Sequence, residues 1–162
     1  MVDVKSLYQK IKDKTTIDVS NCLVRGFSLS EYRSKFNLNQ NEKIDLIDFC
    51  ANDALFESEK VVDFSLANFT GTKADFTNAH FGSGNLSFLK AEFGNFPVSF
   101  KGTSYSEGNN IFQYAKFNSG KPNFDNATFE NGNLSFINTY FGDGTVSFKN
   151  VHFGNGDVSF AF

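Results

Sequence analysis

With 162 residues and a formal charge of −3, the chain has the length of one domain and lacks the polybasic surface that neutralises phosphates, which sets aside nucleic-acid binding by charge. Aromatic residues make up 17% of it, with 22 Phe and no Trp, so Phe must do the packing that Leu, Ile and Val do in an ordinary core. No apolar run reaches the roughly 18 residues that mark a membrane span, and the N-terminus has no signal-peptide core, so the expected location is cytoplasmic.

Residues 3–14 place Val4, Leu7, Tyr8 and Ile11 at helical spacing with lysines on the other face, which predicts a short amphipathic helix. Its expected role is to cover the open end of whatever stack follows, because three aliphatic residues and one Tyr are too little for stable membrane anchoring. Residues 16–27 are strand-like, with Ile17 and Val19 alternating before a turn at Gly26. Ser30 is the expected cap of a short helix ending at Phe36. From Asn41 to Phe56 two patterns compete. Ile44, Ile47 and Cys50 suit a helix, whereas Ile47-Asp48-Phe49 and Ala54-Leu55-Phe56 read as degenerate repeat units, and an irregular first coil with a cap is favoured. Glu57-Ser58-Glu59-Lys60 reads as a solvated turn. Cys22 and Cys50 lack metal spacing and are expected as free, mostly buried thiols, a disulfide being the alternative.

From Phe64 to Phe160 an aromatic residue recurs at alternating steps of five and seven without a slip: Phe64, Phe69, Phe76, Phe81, Phe88, Phe93, Phe100, Tyr105, Phe112, Phe117, Phe124, Phe129, Phe136, Phe141, Phe148, Phe153 and Phe160. Such a period points to stacked repeats. The residue two before each anchor is usually small or apolar, as at Ala67, Ala74, Leu86 and Val98, so the pair shares the inward face of an extended segment. Thr103 and Thr139 still fit, whereas Asn110 and Pro122 break the pattern. The seven-residue steps hold glycines, among them Gly82, Gly84, Gly108, Gly120, Gly132, Gly142, Gly144, Gly154 and Gly156, which predicts corners with positive φ.

Segments such as Ala67-Asn68-Phe69-Thr70-Gly71 and Ala74-Asp75-Phe76-Thr77-Asn78 resemble the unit of the pentapeptide-repeat family, here with every second unit lengthened to seven. The resemblance spans residues 61–162 and implies an all-β fold, a right-handed quadrilateral β-helix (β-solenoid) of 24-residue coils. The expected organisation is an N-terminal helix and irregular capping coil over residues 1–60, then the solenoid over 61–162. A meander of hairpins also has period twelve, but its Ala-rich face would be thin without a second layer.

No motif assigns catalytic, cofactor-binding or metal residues. His80 and His152 lie three 24-residue coils apart, about 14 Å at ~4.8 Å per coil, too far to share a metal, and neither has a nucleophile placed beside it by a motif. The glycine corners are not followed by the helix that a phosphate loop needs, and Asp143 and Asp157 alone do not make a calcium solenoid. Ser87, Ser99, Ser135, Ser147 and Ser159 form an outward rank broken by Ile111 and Asn123, too irregular for an ice-binding face. The expected function is therefore a non-catalytic scaffold for an unidentified protein partner, with no direct contact to nucleic acid or membrane. The alternative, implied by the resemblance, is a DNA mimic that binds DNA gyrase. Mimicry requires a negative stripe, and residues 61–162 hold eight acidic and six basic side chains. Val158 to Phe162 end the chain in register with the ladder, with no polar cap after them, and a two-fold homodimer through this coil is the expected cover.

Overall fold

The computed structural model describes residues 1–161 and is a β-solenoid of about five turns with two short helices. The first helix, α1 (Val4–Lys12), buries Leu7, Tyr8 and Ile11, the face that the spacing marks as apolar. Asp3 caps it by accepting from the Lys5 N–H at 3.0 Å, and Lys10 and Lys12 suit the negative end of the helix dipole. After it come β1 (Thr16–Asp18) and β2 (Leu23–Arg25), then α2 (Leu29–Lys35). The cap of α2 is Ser28 rather than the expected Ser30. Ser28 has the extended backbone a cap requires (φ −149°) and its side chain accepts from Glu31 N–H, while Ser30 lies inside the first turn and gives its N–H and hydroxyl to Asp63. The Tyr8 hydroxyl donates to Ser28 O at 2.7 Å and ties α1 to the entry of α2.

The ambiguous segment is strand, not helix: β3 (Ile44–Cys50) buries Ile44, Leu46 and Phe49, and β4 (Leu55–Glu57) buries Phe56. Parallel pairing begins with a bridge from Val2 to Val24, runs on with β1 on β3 and β2 on β4, and continues into β5 (Val61–Asp63) and β6 (Ala67–Asp75). This first coil is irregular, as its sequence suggests. Its register slips between Ile47 and Phe49, where Asp48 takes φ +46° and its carboxylate accepts from Thr72.

From Val61 onward partners stand 24 residues apart, as Val61 does from Asn85 and Ser104 from Thr128. Four parallel ladders result: Leu55–His80–Ser104–Thr128–His152, Asp63–Ser87–Ile111–Ser135–Ser159, Asn68–Glu92–Lys116–Tyr140 and Asp75–Ser99–Asn123–Ser147. All pairing is parallel, which removes the hairpin meander. The serines read as one outward rank are divided between the second and fourth ladders.

Equivalent rings stack along each column: Phe64 on Phe88 at 4.8 Å and 5°, Phe69 on Phe93 at 4.5 Å and 2°, Phe100 on Phe124 at 4.9 Å and 4°. Rings from different columns meet edge to face, as Phe76 meets Phe88 at 89°, or tilted, as Phe88 meets Phe93 at 39°, so both favourable aromatic geometries are met in one core. Asn110 and Pro122, which break the inward pattern, are nevertheless buried, and Asn110 satisfies its amide by donating to Gly108 O at 3.1 Å. Tyr105 stacks between Phe81 and Phe129, and its buried hydroxyl has no hydrogen-bond partner among the described residues.

The corners differ from the expectation. Of the glycines in the seven-residue steps, only Gly71 (φ 90°) and Gly142 (φ 77°) have positive φ. Most of the others are glycine because turns stack closely. A Cβ on Gly84, Gly108, Gly132 or Gly156 would come closer than 3.0 Å to a carbonyl oxygen of the preceding turn. Besides Asn118 and Lys121 in one seven-residue step, left-handed residues occupy the five-residue steps, two places after the aromatic that opens each.

Candidate functional site

These left-handed positions form two columns. One holds Asn21, Asp53, Asn78, Gly102, Asn126 and Asn150, all residue types that tolerate the conformation, and its amides bond along the column, Asn78 to Asp53 at 3.1 Å and Asn150 to Asn126 at 3.3 Å. The other holds Leu66, Lys90, Tyr114 and Asn138. Leu66 (φ 56°), Lys90 (φ 56°) and Tyr114 (φ 57°) each carry a penalty of about 1 kcal/mol or more in this region. Among the described residues no hydrogen bond or ion pair engages the side chains of Lys90 or Tyr114. The turn geometry dictates the conformation, but it does not dictate these side chains.

The second column is therefore a ridge. Tyr114 is 49% exposed, with the half-buried Leu89 and Ile137 one residue earlier in the neighbouring turns and Tyr140, also 49% exposed, at the bridge that follows. Glu92 is the acid of this edge, and it is neutralised: Lys43 donates to it at 2.7 Å and Lys116 lies at 3.4 Å. The hydrogen bond from Lys43 is the main reason its carboxyl sits below the usual range. Lys90 is left as a free cation among apolar and aromatic groups. Reading of the glycine corners missed this ridge; a scan of the residue two after every anchor would have found it.

A recess of about 870 Å³ opens where the chain leaves the stack for α2, walled in part by the Arg25–Glu57 ion pair (2.8 Å), Lys60 and His80. The 24-residue step brings Ser104 Oγ to 2.5 Å from His80 Nδ1, a proximity no motif signalled. No third group among the described residues orients the imidazole, so the pair lacks the relay of an activated nucleophile. His152 lies on the same ladder beyond Ser104 and Thr128, three turns away as expected. No group of three or more His, Cys, Asp or Glu among the described residues could hold a metal. Cys50 is a buried free thiol and Cys22 a half-buried one.

Buried Asp63 holds the N-terminal helices to the solenoid. It accepts from Ser30 N–H (2.9 Å), Ser30 Oγ (2.6 Å), Ser65 N–H (2.8 Å) and the hydroxyls of Ser28 and Ser65. Burial pushes its carboxyl up, but the hydrogen bonds together outweigh this and hold it below the usual range. Buried Arg33 braces the same joint by donating to Glu42 O and Ser65 O, each at 2.7 Å. At the other end, Phe153, Val158 and Phe160 are 40%, 39% and 46% exposed, against about 1% for Phe129, Leu134 and Phe136 one turn earlier, so the last described turn is uncovered. No helix of the described residues is long and apolar enough to cross a membrane. No protein-family model matches the chain, and no curated protein or solved structure is similar to it.

Proposed function

We propose that the chain is a non-catalytic, cytoplasmic scaffold of the pentapeptide-repeat type, a right-handed four-sided coil, which binds a protein partner along the Leu66–Lys90–Tyr114 ridge. The carrying observation is the contrast between the two left-handed columns. One is filled with Asn, Asp and Gly, while the other keeps Leu, Lys and Tyr against a conformational penalty, with Leu66 half-buried and Lys90 and Tyr114 exposed, and a local rule broken without an internal gain points to a surface under functional selection. Exposed Tyr114 and Tyr140 beside aliphatic residues are the side chains that anchor interfaces. The test is a combined Leu66→Asn, Lys90→Asn and Tyr114→Asn variant, which should unfold at a higher temperature than the parent and lose the partner that the immobilised parent retains. Equal retention by both proteins, or no partner for the parent, would sink the reading.

The uncovered last turn accepts a second copy in the same proposal, through its exposed Phe153, Val158 and Phe160. Light scattering should then show a dimer that Phe160→Lys dissociates; a parent that stays monomeric at high concentration removes it. The DNA-mimic reading has less support. From residue 61 onward no outward ladder carries acids in consecutive turns, and Glu92 is paired with two lysines. Inhibition of gyrase supercoiling by the purified protein would reverse that ranking.

A further inference from the structure

Asn-Gly occurs twice in the protein, at Asn131-Gly132 and Asn155-Gly156, on the same corner column one turn apart. Both asparagines are exposed, and Asn155 Nδ2 donates to Asn131 Oδ1 at 3.3 Å. Neither Gly132 N–H nor Gly156 N–H has an acceptor among the described residues, whereas Gly154 N–H bonds to Phe129 O at 2.6 Å. Each dipeptide thus sets an unbonded backbone nitrogen, unshielded by a Cβ, next to the amide carbon of an asparagine side group.

The surroundings of the two sites differ. The 130–132 corner is held from both sides: Gly132 lies against Gly108 O below, while Gly154 and Gly156 press on Glu130 O and Gly132 O from above. Within a single copy, the described residues hold the 154–156 corner from below alone. Its flanking residues Phe153 and Val158 are 40% and 39% exposed, against about 1% for their counterparts Phe129 and Leu134. Ring closure requires the corner to leave its stacked path, so it depends on local opening, and opening is easiest where stacking is one-sided.

We propose that Asn155 is a site of spontaneous deamidation and that Asn131, with the same dipeptide, is protected by the turn stacked on it. Gly156 N attacks Asn155 Cγ, a new bond forms between these two atoms, the bond from Cγ to Nδ2 breaks and ammonia leaves. Water then opens the succinimide at either carbonyl to give aspartate or isoaspartate. Isoaspartate adds a methylene to the backbone, and either product places a carboxylate two residues from Asp157, whose N–H is engaged by Asn133 Oδ1.

The experiment incubates the 162-residue protein at mildly alkaline pH, dilute enough that light scattering gives a monomer, and follows both sites by peptide mapping with mass spectrometry. A parallel sample in urea reports the rates without the fold, and Asn155→Gln serves as the control that cannot close the ring efficiently. In the folded protein Asn155 should convert ~10-fold or more ahead of Asn131, the ratio that a modest difference in opening free energy gives, with the two rates converging in urea. Conversion of Asn131 as fast as Asn155, or no conversion at Asn155 while both proceed in urea, overturns the proposal.

Discussion

Tyr105 shows how little tolerance the core has for a polar atom. Its ring takes the place of a Phe in a stack of four others, Phe56, Phe81, Phe129 and Phe153, yet its hydroxyl ends in a fully buried site without a hydrogen-bond partner among the described residues, and burial pushes the phenol far up. Tyr105→Phe should therefore stabilise the protein by about 1 kcal/mol or more, measured by denaturant unfolding; a loss of stability would mean that the hydroxyl is bonded after all. The corner glycines make a second residue-scale prediction. Gly132→Ala puts a Cβ onto the backbone carbonyl of Gly108, which cannot retreat without unstacking the turn, so a cost of about 2 kcal/mol is expected. Gly144→Ala meets instead the flexible side chain of Lys121, at 2.6 Å from Cγ, and should cost under ~0.5 kcal/mol. Equal melting temperatures for the two variants would remove the stacking account of the corners.

Among the elements, the joint between α2 and the solenoid depends on the charge of one buried carboxylate. Because the folded state holds Asp63 below its unfolded value, its contribution is complete above the unfolded pKa and declines as pH falls through the folded one. Acid titration should loosen α1 and α2, read as lost helical ellipticity beginning below about pH 4, the ordinary range for aspartate. Asp63→Asn should weaken the joint at neutral pH and flatten that acid response; an unchanged acid profile would show that other carboxylates control the cap. Much of the fold was legible in the sequence because period-two alternation and a fixed repeat act locally, as Ala67 and Phe69 illustrate. Ser28 was not legible as the α2 cap, because Ser30 is claimed by an aspartate 33 residues away. Nor could the reason for the glycine corners be read, since contact between carbonyl and Cα across 24 residues appears only once turns are stacked.

Over the whole molecule, each turn touches little beyond its neighbours, so stability is close to a sum of turn and interface terms. Hydrogen exchange should follow position along the stack. Amides in the turn containing Phe112 and Phe124, which are fully buried, should be protected most, and those from Phe153 to Phe160 least. Uniform protection would point instead to all-or-none opening.

The sequence repeats every 12 residues while partners in the structure stand 24 apart, and this makes the length of the molecule adjustable in steps of one size. Excising residues 89–112 brings the same residue types back into each column and yields the same molecule one rung shorter, by ~4.8 Å. Removing only 12 residues leaves the aromatic anchors in phase but transposes the sides, so that the Asn and Gly column is grafted onto the ridge. The repeat thus works as a ruler with two kinds of graduation: half-steps preserve the interior, and whole steps preserve the surface as well.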